Sequence, residues 1–191
     1  MKKSSRILIL VLALSLIVLY FVPLWNITLD APQYPEGLGM QIWLDKMTGD
    51  LDIINGLNHY IGMQLIEPDS IKELTFMPYI IGFIILFGII VFIINKKAML
   101  LSWILFIIVI GTVGMYDFWT WEYDYGHNLD PTAAIKVPGM NYQPPLIGSK
   151  ELLNFTAISM PATGGYILFA VGIIAILVFI YEYKFNRIQK E

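Results

Sequence analysis

Residues 74–116 read LTFMPYIIGFIILFGIIVFIINKKAMLLSWILFIIVIGTVGMY, two uncharged runs separated by the pair Lys96-Lys97. Each run supplies the roughly 20 residues that carry a helix across a bilayer core. Two lysines between them leave room only for a tight turn, with the charged pair at one membrane face. Working outward, further uncharged runs extend from Ile7 to Thr28 and from Leu152 to Tyr181. Four transmembrane helices are therefore predicted, at about Ile7 to Leu24, Phe76 to Ile94, Ala98 to Tyr116 and Gly164 to Tyr181. Composition agrees, because charged residues make up 14% of the chain, well under the roughly 25% usual in soluble domains.

Lys2, Lys3 and Arg6 before the first run imitate the start of a secretory signal. That run reaches spanning length and ends in Phe21-Val22-Pro23-Leu24-Trp25 with no small-x-small site, so an uncleaved anchor is expected. Lys and Arg near helix ends stay in the cytoplasm. Lys2, Lys3, Arg6, Lys96, Lys97, Lys184, Arg187 and Lys190 gather on one side, eight of the twelve basic residues. The reading is a multi-pass protein of a bacterial cytoplasmic (inner) membrane, with both termini cytoplasmic.

The other side then holds two long loops, about 25–75 and 117–163. They contain Lys46, Lys72, Lys136 and Lys150 against thirteen of the fifteen acids, a formal charge of −9. Such a balance disfavours nucleic acid and anionic lipid as partners there and concentrates cations. Loops of this length are expected to pack together as a small cap. The predicted fold is an all-α membrane protein, one integral membrane domain over residues 1–191, with up-down helices and a mainly irregular and helical cap. Short strands have room in Ala133 to Val137 or Asn141 to Leu146.

No charged residue sits centrally in a predicted span, which disfavours a pump or secondary transporter. A heme-attachment motif, a phosphate-binding loop and a dinucleotide fingerprint are all missing from the sequence. Attention falls on imidazole and thioether groups, the ligand types that suit copper, in a chain without cysteine. In Asp50 to Ile66 the apolar residues Ile54, Leu57, Ile61 and Leu65 follow an amphipathic-helix spacing. Asn55, His59 and Met63 then form one stripe of i, i+4 neighbours. The two candidate ligands equally suit an interfacial hydrogen bond and a core plug. In the second loop, His127 lies near Asp124 and Asp130, which can bind a metal, orient the ring or raise its basicity. Met140 follows the turn Pro138-Gly139, and Met40 follows the flexible Gly37-Leu38-Gly39. The candidate metal ligands are His59, Met63, His127 and Met140, with Asp124, Asp130 and Met40 as orienting or alternative groups.

The strings Asp52-Ile-Ile-Asn-Gly-Leu-Asn-His-Tyr-Ile-Gly-Met63, Tyr125-Gly-His-Asn-Leu-Asp-Pro131 and Pro138-Gly-Met-Asn-Tyr-Gln-Pro-Pro-Leu-Ile-Gly148 resemble small multispanning membrane proteins. Those proteins are encoded beside nitrous oxide reductase and its copper-maturation genes. The resemblance spans both loops and the helix pattern, and no motif of assigned chemistry underlies it. It implies an accessory role in maturing or supplying copper to a periplasmic copper enzyme, with that enzyme or a copper chaperone as partner. The first expectation is thus a copper-handling accessory protein rather than an enzyme. A second is a metal-free scaffold that docks a periplasmic partner through its aromatic, acidic cap. A third is a membrane subunit of a respiratory or oxidase complex, with Asp124 and His127 near a quinol or metal.

Overall fold

A computed structural model describes residues 1–152 and 154–188, with side chains described to Lys184. The side chain of Arg187 and the whole of Lys190, counted above at the basic end, lie outside the described residues. The helix α3 (Glu73–Ile94) stops where Asn95 takes a left-handed conformation, φ 55°, which asparagine tolerates. After Lys96 the chain enters α4 (Lys97–His127). At the start of the chain, α1 (Lys3–Ser15) tightens into a 3-10 turn over Leu16–Tyr20, and the last helix is α5 (Thr163–Ile188). Four helices, Lys3–Tyr20, Glu73–Ile94, Lys97–His127 and Thr163–Lys184, are long and apolar enough to cross a membrane.

In the bundle α1 packs beside α3 and α5, and α4 packs beside the same two. Ile9, Leu16, Ile84, Val91 and Leu100 fill its centre around Trp103. The Trp103 indole donates to the Ile84 carbonyl at 2.9 Å, which satisfies the one polar atom of that side chain. A Cβ on Gly88 would lie 2.5 Å from the Ala13 Cβ and 3.0 Å from the Trp103 ring, so α1, α3 and α4 meet there only because the residue is glycine. Outward-facing Val11, Leu86, Val113 and Ile173 are more than half exposed and form a belt fit for lipid. At the lysine-rich end the buried Glu182 accepts from the Lys2 amide at 2.8 Å and pairs with Lys97 at 3.7 Å.

The all-α expectation is corrected by a five-stranded antiparallel sheet at the opposite end. Its strands are β1 (Trp25–Ala31), β2 (Tyr34–Ile42), β3 (Met47–Gly49), β4 (Gly148–Leu152) and β5 (Phe155–Pro161), in the order β3-β2-β1-β5-β4. The segments at 133–137 and 141–146 where strands had room form none, and the strand begins at Gly148. Alternation accounts for β1, since Trp25 and Ile27 are buried while Asn26 and Thr28 are less so. Its central partner is distant, with Trp25 opposite Pro161 and Asp30 opposite Thr156. Strand β1 follows α1 after Pro23-Leu24, and β5 leads into α5, so the middle of the sheet extends two helices of the bundle. Gly164 and Gly165 permit this, because a Cβ on either would come within 3 Å of the Pro23 or Leu24 backbone.

One sheet face buries Trp25, Ile27, Leu38, Met40 and Met47. Beneath it lie Ile54 of α2 (Leu51–Ile61), Ile66, and Phe118, Trp121 and Tyr125 of α4. At 1.5 Å per residue the 31 residues of α4 extend about 46 Å, against about 30 Å of hydrocarbon. The helix is therefore longer than one crossing needs, and its part beyond Tyr116 packs beneath the sheet as a post for it. The Trp119 to Tyr125 run, whose aromatics alternate with polar residues, is helical rather than irregular.

Candidate functional site

The amphipathic helix forms as its spacing predicts but ends earlier, at Gly62, whose φ of 81° breaks it. Met63 thus leaves the Asn55–His59 stripe and turns into the following loop, its amide bonded to the Asn58 carbonyl at 2.9 Å. Asn55 turns inward and clamps that loop. Its Oδ1 accepts from the Ile66 amide at 2.7 Å and its Nδ2 donates to the Ile66 carbonyl at 3.0 Å. The Tyr125 hydroxyl adds a bond to the Leu65 carbonyl at 3.1 Å.

The second long connection closes on the first. Asp130 donates its amide to the Gly62 carbonyl at 2.8 Å, and Ile135 donates to the Tyr60 carbonyl at 2.9 Å. Between them opens a cleft of about 320 Å³ lined by His59, Met63, Gln64, Leu65, Asn128 and Asp130. The C-terminal ends of α2 and α4 both face this region, and helix C-termini carry partial negative charge. Cations are favoured there over anions. Thr132, through its hydroxyl and amide at 2.7 Å each, holds the Asp130 carboxyl below the usual range, with Lys136 and His59 adding to the effect.

Of the candidates, His59, Met63 and Asp130 share this cleft. His127 ends α4 just before the cleft wall at Asn128, its ring stacked on Tyr123 with centroids 4.0 Å apart. Its Nδ1 lies 3.0 Å from the Tyr123 carbonyl, an atom that only accepts. Nδ1 therefore carries the proton, and Nε2 of the neutral ring keeps its lone pair. Asp124 is exposed and accepts a long 3.4 Å bond from Asn128. Met140 sits half-buried on a turn bonded to Val137, apart from the cleft-lining residues. Met40 is 5% exposed and packs in the core under the sheet. Among the described residues no three His, Cys, Asp or Glu side chains form a metal-sized group. The cleft's donors are instead mixed: one imidazole, one thioether, one carboxylate and two amides.

Sequence reasoning passed over Glu122. Its side chain is fully buried on the projecting part of α4, and neither carboxyl oxygen has a hydrogen-bond partner among the described residues. Burial pushes this carboxyl up to about 8, so it is mainly neutral at pH 7. One turn on, Gly126 receives the Tyr142-Gln143 segment so closely that a Cβ would lie 2.3 Å from the Gln143 nitrogen. The signal was present in helical phase, since Phe118, Glu122, Tyr125 and Gly126 fall on one face once the run is read with a 3.6-residue period.

Bundle, sheet and cleft define the class: four helices of membrane-crossing length joined to a five-stranded cap with a cation-favouring cleft. No protein-family model, curated protein or solved structure matches the chain.

Proposed function

We propose that this chain is an accessory protein of the bacterial cytoplasmic membrane that takes Cu(I) as cargo at its cap and passes it to a periplasmic partner. The observation that carries the reading is that His59 and Met63 line one cleft, held together by backbone bonds between both long connections. Imidazole and thioether are neutral, soft donors suited to Cu(I), and neutral donors release an ion by exchange. Asp130 and the two helix ends draw the cation in without enclosing it. His127, which keeps Nε2 as its lone-pair nitrogen, immediately precedes the cleft-lining Asn128 in the chain.

The excess of lysine and arginine at the far end supports an orientation with the cap in the periplasm and both termini in the cytoplasm. The resemblance to proteins encoded beside nitrous oxide reductase supports that enzyme, or a copper chaperone serving it, as recipient. The test is copper content of the detergent-solubilised protein after anaerobic Cu(I) loading and washing, beside a His59→Ala, Met63→Ala double variant. Near-stoichiometric copper lost in the variant is expected. Equal retention in both, or none in either, overturns the reading.

One observation favours a second reading, a docking platform. Tyr116, Trp119, Tyr123 and His127 form a ladder along α4, with ring centroids 6.2, 5.5 and 4.0 Å apart, and Tyr116, Trp119 and Tyr123 are exposed. Exposed aromatics of this kind anchor protein interfaces. On that reading a Trp119→Ala, Tyr123→Ala variant loses partner binding while a His59→Ala, Met63→Ala variant keeps it.

A further inference from the structure

The cleft opens among exposed apolar side chains. Leu65, one of its lining residues, is 48% exposed, and Tyr60 and Ile135 beside it are 57% and 49% exposed. The Ile135 amide bonds to the Tyr60 carbonyl at 2.9 Å, so residues from two different connections contribute to one surface. The Tyr60 and His59 rings meet edge to face with centroids 6.0 Å apart, which ties that surface to the cleft. Together the three side chains form an apolar collar.

Lipid does not account for it. Tyr125, whose hydroxyl holds Leu65, stands about 42 Å along α4 from Lys97, where one crossing takes roughly 30 Å. The collar is also set in acid. The connections that meet at the cleft, residues 50–69 and 124–136, carry Asp50, Asp52, Glu67, Asp69, Asp124 and Asp130 against Lys136 alone, a formal charge of −5, and all of these side chains are exposed. Repulsion between two such surfaces disfavours a second copy, and the same charge disfavours anionic lipid. An apolar centre in an acidic surround fits a partner with an apolar knob and a basic rim. Burying the centre supplies affinity, while the opposite charges set orientation and encounter rate.

We propose that Tyr60, Leu65 and Ile135 form the docking site for a basic-rimmed protein that seats over the mouth of the cleft. The inference rests on the copper reading for what passes between the two proteins, and on the collar alone for how they meet. Docked there, the partner presents its own donors to the ion. Cu(I) then moves from His59 or Met63 by exchange, one bond to the ion forming as another breaks, with no change in its oxidation state.

Two synthetic peptides test this on the full, copper-free chain in a neutral detergent. They share an apolar core of leucine and tryptophan, flanked by lysines in one and by glutamates in the other. Fluorescence anisotropy should show the lysine-flanked peptide binding roughly tenfold more tightly, and less so as salt rises. A Tyr60→Gln, Ile135→Gln variant, which alters neither charge nor cleft lining, should lose roughly tenfold in affinity for that peptide. Its thermal unfolding midpoint and copper retention should stay as in wild type. An Asp52→Asn, Glu67→Gln variant should instead flatten the salt dependence. Equal binding of the two peptides by the wild type overturns the proposal. So does an affinity for the lysine-flanked peptide that survives Tyr60→Gln, Ile135→Gln, since the acidic cap as a whole would then be its source. A wild-type dimer in native mass spectrometry that the same variant abolishes gives the collar to a second copy and also overturns it. The expected peptide pattern in a chain that retains no copper would strike the cargo reading and leave the docking site standing.

Discussion

The Asp130 amide donates to the Gly62 carbonyl at 2.8 Å, across a gap that a Cβ on Gly62 would close to 3.0 Å from Asp130. Together with the Ile135–Tyr60 bond, it joins the two long connections of the chain beside the cleft. Gly62 performs two tasks at once, since its φ of 81° ends α2 and its missing side chain admits the 130–135 segment. The cleft exists because both conditions are met at one residue.

Substituting Gly62→Ala should therefore strain the turn and push Asp130 away. A cost of about 2 kcal/mol is expected. Gly56→Ala, in the same helix with nothing within 4 Å of its Cβ, should instead stabilise by up to about 1 kcal/mol. Thermal unfolding of the two variants in detergent, compared with wild type, separates a specific packing role from general helix propensity. Opposite signs support the packing role, and equal signs contradict it.

Asn55 touches neither cleft nor cargo in this account, yet it fixes the loop that carries Met63. Asn55→Ala leaves the amide and carbonyl of Ile66, itself 4% exposed, without the two bonds that satisfied them. A loss of about 2 kcal/mol is expected. Copper retention should weaken as well, because Met63 loses its fixed position although every donor remains. Asn55→Asp keeps an acceptor for the Ile66 amide and should fall between. Unchanged copper retention in Asn55→Ala would show that the loop needs no clamp.

The bundle was legible because its signal is local: long uncharged runs and a lysine pair, with the observed helices Glu73–Ile94 and Lys97–His127 starting at or near the expected residues. The sheet was not, because its central pairing joins residues such as Asp30 and Thr156 that no window of sequence brings together. A trace was visible in the alternation of Trp25-Asn-Ile-Thr-Leu29, hidden because the preceding apolar run continues to Thr28. The site was half legible. Residue type marked His59 and Met63, but the helix break at Gly62 and the meeting of Gly62 with Asp130 depend on tertiary packing. Glu122 was missed because an acid among aromatics reads as surface until the helical phase is known.

Gly126 gives a sharper packing test. Tyr142 donates its amide to the Gly126 carbonyl at 2.9 Å, and Tyr142 is 2% exposed. A Cβ on Gly126 would meet the backbone nitrogen and Cα of Gln143 at 2.3 and 2.4 Å, which no rotamer change relieves. Gly126→Ala should lift the 140–146 segment from α4, cost about 2–3 kcal/mol and speed proteolytic cleavage near Pro138. Gly114→Ala, on the same helix with open space at its Cβ, should leave the cleavage rate as in wild type. Similar cleavage in both variants would deny Gly126 its special contact.

Glu122 makes the cap sensitive to alkali. The unfolded carboxyl releases its proton near 4.5, whereas burial holds the folded one to about 8. Between those values the native state binds a proton that the unfolded chain has given up, so stability falls as pH rises through the window. Below it both states are protonated and the group is silent. Above it the penalty of a buried, unpartnered carboxylate is complete. At 1.36 kcal/mol per pH unit, the change from pH 6 to 8 amounts to roughly 2–3 kcal/mol. Glu122→Gln keeps the shape and removes the titration. Thermal unfolding in detergent from pH 6 to 9 should show a falling midpoint in wild type and a flatter one in Glu122→Gln. Parallel curves would assign the alkaline loss to another group. A steeper variant would mean that the carboxylate has a partner in solution and that its charge stabilises the cap.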